Sequence, residues 1–232
     1  MSRVFAIGEK YRERLEGPLA ALGVCALWLP DNPNVDTRLS GHADLMLLDL
    51  GGGRVLTYLD SLPDIGLDVV KVEGQGRAYP DDARLCACIV GRFCIHDFRI
   101  SDPHITGFER IEVRQGYARC STCVVDEGAI ITSDAGIAKA ASRHGLDVLG
   151  IRPGYIELEG FDTGFIGGAS FKLSPERMAF TGRLDLHPDR ARIEAYLRGR
   201  GVEPVYLTER PAFDIGSAVP LTVSAAAGIS CP

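Results

Sequence analysis

No stretch of this chain is apolar for long enough to cross a bilayer, which takes about 20 residues. The opening segment, MSRVFAIGEKYRERLEG, lacks the apolar core of an export signal and turns polar at once. The expected compartment is therefore the cytoplasm, with no membrane partner. Clustered positive charge is missing too: 25 Lys and Arg stand against 31 Asp and Glu, a net charge of −6. That argues against a nucleic-acid backbone as the main partner, since phosphate binding needs grouped cations. No run of like charge stands out either.

What is present is ordinary globular material. Of 232 residues, 46% are hydrophobic and 24% charged, enough for a sizeable core and read as one domain over 1–232. There are seven cysteines: Cys25, Cys86, Cys88, Cys94, Cys120, Cys123 and Cys231. An odd count without an export signal reads as reduced thiols, most of them small core hydrophobes.

A repeated order of elements organises the chain. In residues 116–151, TCVVD and AIITS are β-branched runs split by the turn Glu127–Gly128. Asp134 then predicts an N-cap, with Ile137 and Ala141 on one helical face and Gly145 at the stop. LDVLGI returns as a strand. The same order predicts GGASFKL, RMAFTG, a helix opened by His187–Pro188–Asp189, and EPVYL in residues 164–207. Residues 41–72 give HADLMLLDL, the turn Gly51–Gly52–Gly53, RVLTYL and LDVVKV, with a connection too short for a full helix. Residues 82–113 give ARLCACIV, RFCIHD, a Pro-broken linker and ERIEV. A fifth unit is split: DIGSAVPLTV at the tail completes VFAI, a helix from about Glu9 to Leu22, and VCALWL at the head. The expected fold class is α/β, a five-unit ββαβ pseudosymmetric propeller closed by pairing the N- and C-terminal segments. Closure removes free sheet edges. An ordinary α/β sandwich is the alternative.

In such a ring the residues opening each unit meet near the axis. They are Gly41, His42 and Asp44; Asp82 and Arg84; Tyr117, Arg119 and Cys120; Gly167, Gly168 and Ser170; and Asp214, Gly216 and Ser217. Carboxylates, guanidiniums, a thiol and an imidazole at one place would suit a small-molecule ligand. Each has a plainer reading. His42 could cap a strand end, Asp214 could cap the last strand, and the glycines could serve close backbone approach. His96, His104, His144 and His187 read as surface or cap residues. Cys120-x-x-Cys123 leads into a strand, where residues three apart face opposite sides, which suits neither a redox pair nor zinc. Cys86-x-Cys88 is the nearest further thiol source, but four-ligand spacing is absent and no metal or cofactor is expected.

The motifs HADLMLLD (42–49), GFIGGASFKL (164–173) and GSAVPL (216–221) resemble those of the pentein superfamily, the guanidino-group modifying enzyme fold of arginine and agmatine deiminases. QGYARCS, GFIGGAS, HPD and DIGSAVPL further resemble an uncharacterised bacterial family with that fold. The resemblance implies a Cys nucleophile, a proton-shuttling His and carboxylates holding a cationic substrate. His42 and Asp44 match the family's His-x-Asp, and Gly167 and Gly168 its Gly-Gly pair. Ile166 and Ala169 stand where the family has Glu and Asp, and FDIGSAVPL carries no cysteine. The expectation is a hydrolase or amidinotransferase-like enzyme acting on a guanidine, amidine or related C–N substrate. Cys120 and His42 would be catalytic, with Asp44, Asp82, Arg84, Arg119, Gly167, Gly168, Ser170, Asp214 and Ser217 binding substrate. The alternative is a non-catalytic binding protein, as in the ribosome anti-association factor of the same fold. A homo-oligomer is left open.

Overall fold

The computed structural model describes residues 2–223. Strand β1 (Ser2–Gly8) passes through a 3-10 turn into α1 (Arg12–Ala21) and β2 (Cys25–Leu29). Next come α2 (Ala43–Met46), β3 (Leu47–Asp49), β4 (Arg54–Thr57) and β5 (Asp68–Lys71). They are followed by β6 (Cys88–Val90), β7 (Phe93–His96) and β8 (Glu109–Glu112). The fourth set is α3 (Ala118–Ser121), β9 (Thr122–Asp126), β10 (Ala129–Thr132), α4 (Ala135–Arg143) and β11 (Asp147–Gly150). The chain continues with β12 (Ser170–Ser174), β13 (Arg177–Phe180), α5 (Arg190–Gly199), β14 (Glu203–Tyr206) and β15 (Val219–Val223).

This mixed α/β chain forms five three-stranded sheets on one plan. A central strand pairs antiparallel with one neighbour and parallel with the other. The parallel partner needs a crossover, supplied by α1, α4 and α5 in three sheets and by irregular chain in the other two. The head–tail sheet has the order β15-β1-β2, with Val4 opposite Leu221 and beside Cys25. Asp134 caps α4 by accepting from the Ile137 amide at 2.8 Å, and Gly145 ends it at φ +84°.

Period-two alternation sends each central strand's side chains into two separate cores. Val4 and Ala6 of β1 pack with β3 and β4, whereas Phe5 and Ile7 pack with β12 and β13. In β10, Ala129 and Ile131 join the β13 core while Ile130 joins the β7 core. Leu48 and Leu56 of the second sheet share a core with Cys94 of the third. Both faces of these strands are buried, so they read in sequence as unbroken apolar runs. No helix among the described residues is long and apolar enough to cross a membrane.

Four expectations need correction. HADLMLLDL is not strand throughout: residues 43–46 are a helical turn and β3 starts at Leu47. The Leu45 amide bonds the His42 carbonyl at 3.1 Å, and the Asp44 amide reaches the Gly216 carbonyl of the tail at 3.2 Å. The backbone must turn to make that second contact. Pro188 lies in the turn before α5 rather than in its first turn. His96 is fully buried, its ring held by Ser101 Oγ at 2.5 Å and the Gly116 carbonyl at 2.8 Å. Cys25 is disulfide-bonded, whereas Cys86, Cys88, Cys94, Cys120 and Cys123 are free; Cys231 lies outside the described residues.

Candidate functional site

The segments that open the units converge, because their backbones bond one another. The Arg119 amide donates to the Cys86 carbonyl at 2.9 Å, and the Gly168 amide to the Cys120 carbonyl at 2.8 Å. The Ser217 amide donates to the Gly168 carbonyl at 2.9 Å, and Asp44 closes onto Gly216. Their side chains are thereby brought together, most of them buried.

Cys120, 3% exposed, is the hub of the cluster. Its thiol donates to Asp44 Oδ2 at 2.7 Å, and the Cys86 thiol donates to the same oxygen at 3.4 Å. The two sulfurs are 3.9 Å apart. On the other side of the hub, a His42 ring nitrogen and an Asp214 oxygen lie within 4.8 Å of the Cys120 sulfur and of each other. His42 Nδ1 is 4.0 Å from Asp214 Oδ1, while His42 Nε2 is buried without a partner.

The carboxylates are held differently. Asp214 accepts the Phe165 amide at 2.8 Å and the Gly216 amide at 2.9 Å. A Cβ on Gly168 would stand 1.8 Å from Asp214 Oδ1, and one on Gly164 2.5 Å from its Cβ. These glycines are the room in which the Asp214 carboxylate sits. Asp44 has only thiol donors, and its Oδ1 has no partner. Burial therefore pushes its carboxyl up to about 7, partly offset by the bond from Cys120. Cys86 beside it and burial hold the Cys120 thiol well above its ordinary range, and burial lowers His42. Around pH 7 the resting cluster is a protonated thiol, a neutral imidazole and a carboxyl raised toward its neutral form.

Arg119 anchors the remaining edge, donating to Ser217 Oγ at 2.5 Å and the Thr122 carbonyl at 3.0 Å. Ser217 Oγ in turn donates a hydrogen bond to the Ser170 carbonyl at 3.0 Å. Gly167 is a close-approach position: a Cβ there would lie 2.3 Å from the Thr122 carbonyl oxygen. Asp82 and Arg84 are not brought into the cluster. Asp82 accepts from the Tyr117 hydroxyl at 2.8 Å, and Arg84 bonds the Gly74 carbonyl at 3.3 Å and lies 3.8 Å from Asp102. Cys123 faces the core, 4.0 Å from Met178 sulfur. Cys86 and Tyr11 are the cluster neighbours that reading the sequence missed; Tyr11, on the turn before α1, is held protonated by burial and by the Asp214 and Asp44 charges.

Two cavities adjoin the cluster and share no lining residue. One, about 490 Å³, has Asp214 and Tyr11 in its wall, with Lys10, Arg14, Glu157 and Glu159 around them. The other, about 530 Å³, has Asp44 and Arg119 in its wall amid mostly apolar strand residues.

The site thus defines a mixed α/β protein with a thiol, an imidazole and two carboxylates buried where its repeated units meet. The chain belongs to a family of unknown function (DUF6873), which it matches over residues 6–219, a span that includes every residue of the cluster. It matches no curated protein.

Proposed function

We propose that the five sheets close into a pentein-type ring and that the cluster is the active site of a thiol-dependent hydrolase or transferase acting on a small amidine, guanidine or related C–N compound. Three features support the ring. The five cores link first sheet to second, second to third, third to fourth, fourth to fifth and fifth back to first. Four neighbouring pairs of unit openings bond backbone to backbone, and the fifth pair meets through the Cys86 thiol and Asp44. β15 pairs with β1, joining tail to head.

The convergence of Cys120, His42, Asp44 and Asp214 within one buried space carries the functional reading. A guanidinium or amidinium is a poor electrophile until it is fixed and desolvated, and two carboxylates suit its spread charge. A cation beside Cys120 also favours the thiolate that the resting site disfavours. His42, with a ring nitrogen within 4.8 Å of the sulfur, takes the thiol proton. The thiolate forms a C–S bond at the amidine carbon, and its π pair moves to nitrogen. The C–N bond then breaks as His42 returns the proton to the departing amine. Water adds at the same carbon, the C–S bond breaks, and the thiol is restored. Overall, amidine and water give amide and ammonia.

The ligand enters by the Asp214 cavity, whose rim carries exposed Tyr155, Phe161 and Leu186 over charges of both signs. The test is turnover of a panel of guanidino and amidino compounds, read as released ammonia or amine. Cys120→Ser should abolish turnover, and turnover that survives it would remove Cys120 from the role. One observation favours a second reading, a non-catalytic binding protein: neither Cys120 nor His42 lines either cavity. That reading predicts saturable binding of an amidine by the native chain with no product at any pH.

A further inference from the structure

The sequence directs attention to Cys120 and Cys123, yet the fold pairs Cys120 with Cys86. Cys86 has no part in the chemistry proposed above, is fully buried, and brings a second sulfur to the same carboxylate oxygen. We infer that Cys86, Cys120 and Asp44 form a three-ligand site for one thiophilic divalent cation, with Zn²⁺ the best match.

The edges of the triangle are the first argument. Zinc takes sulfur at about 2.3 Å and carboxylate oxygen at about 2.0 Å, so tetrahedral edges fall near 3.8 Å for sulfur to sulfur and 3.5 Å for sulfur to oxygen. Here they are 3.9 Å for the two sulfurs and 3.4 Å for Cys86 to Asp44. The third edge, Cys120 to Asp44, is 2.7 Å because a thiol proton now lies along it. It must open by roughly 0.8 Å when the metal replaces that proton. Asp44 Oδ1 is a second, independent pointer: this oxygen of a 2% exposed carboxylate has no hydrogen-bond partner at all. A buried acceptor left idle is costly unless something occupies it.

The donor set selects the ion. Two sulfurs and one carboxylate suit zinc and disfavour magnesium and calcium, which take oxygen ligands. Both thiols release their protons to solvent on ligation. Two thiolates and a carboxylate then carry three negative charges against two on the ion, and Arg119, next to Cys120 in the chain, supplies the remaining positive charge. Access is through the Asp44 cavity, whose wall also carries Asp126 and Glu127. Three protein ligands leave a fourth position open, as in zinc sites that bind a small molecule. A sulfur bound to zinc cannot also attack carbon, so metal loading and the thiol chemistry exclude one another at Cys120.

Cobalt titration of the metal-free chain, with Cys86 and Cys120 as free thiols and the Cys25 disulfide intact, tests the site. The expected result is a sulfur-to-cobalt charge-transfer band with strong visible bands of tetrahedral cobalt, saturating at one ion per chain and bleached by Zn²⁺. Cys86→Ser should weaken cobalt binding by more than the roughly 10–100-fold that loss of a supporting group costs. Cys86→Ser with Cys120→Ser should remove the charge-transfer band, while thermal melts confirm folding. Asp44→Asn keeps both sulfurs and so should keep that band with weakened affinity. A band that survives the double substitution, or cobalt spectra of octahedral type only, would overturn the site. This readout is independent of activity: if Cys120 proves unreactive toward amidines yet the cobalt spectrum appears, the catalytic reading fails and the metal site stands.

Discussion

Asp214 and Asp44 are the same residue type, both about 3% exposed or less, on either side of one cysteine, and the fold treats them in opposite ways. Asp214 sits in a cradle cut by Gly164 and Gly168, with a backbone amide on each oxygen. Asp44 has been stripped of water and offered only two weak thiol donors. The first carboxylate is fixed in place by those two amides and keeps acceptor sites free on the cavity it lines. The second is left short of partners, which is the state in which a buried acid is poised to meet a cation.

The sharpest way to break this contrast is to fill the cradle. Gly168→Ala drives a methyl into the Asp214 carboxylate and should cost about 4–5 kcal/mol, since the acid must leave both of its amides. The midpoint of urea unfolding measures it. A loss under about 1 kcal/mol would mean the carboxylate is not held as described.

The next effect lies on the Asp44 side and depends on pH. Its carboxyl is raised to about 7 in the folded chain, so the folded state holds a proton that the unfolded state releases near pH 4. Stability from this group is therefore fully present below about pH 4 and is lost as pH rises to about 7. Asp44→Asn, which keeps the shape and loses the charge, should flatten that fall. The variant should match the native chain near pH 4 and exceed it at pH 8 by up to about 4 kcal/mol. Parallel urea titrations across this range would read the difference, and equal slopes for both proteins would refute the desolvated-acid account.

Asp214→Asn should behave in the opposite sense, destabilising by about 2 kcal/mol at pH 8, because an amide nitrogen would face a backbone N–H. Stabilisation by this change at pH 8 would erase the contrast between the two acids. The smallest effect belongs to His42. Burial lowers its imidazole, so folding is opposed as pH falls below the ordinary histidine range, and His42→Gln should remove that acid-side loss. Thermal melts at pH 5 and 7 would show the two chains converging at the higher pH.

Much of the architecture was legible because the physics that sets it is local. Turn glycines, the Asp134 cap, the Gly145 stop and period-two alternation each act within a few residues. The split unit could be read because DIGSAVPLTV and VFAI are each incomplete alone. The cluster was legible in part. Lining up the units brought His42, Asp44, Cys120 and Asp214 to one place, and the structure joins them. Cys86 escaped because matching Cys88 to Cys123 sets it two residues before a strand, where a turn rather than β geometry decides direction. Arg84 and Asp82 were assigned to the site by the same alignment, yet Asp102 and Tyr117, distant in sequence, take them elsewhere. Tyr11 carries no motif; α1 and its leading turn bring it in from the opposite end of the chain.

The most direct test of the central claim is to map where chloroacetamidine, an amidine bearing a leaving group, attaches to the native chain with its Cys25 disulfide left intact. The account predicts alkylation of Cys120, identified by peptide mass, slowed by an unreactive amidine and strongly reduced in Asp214→Asn. Labelling spread over other cysteines, or none until the chain is unfolded, would contradict it.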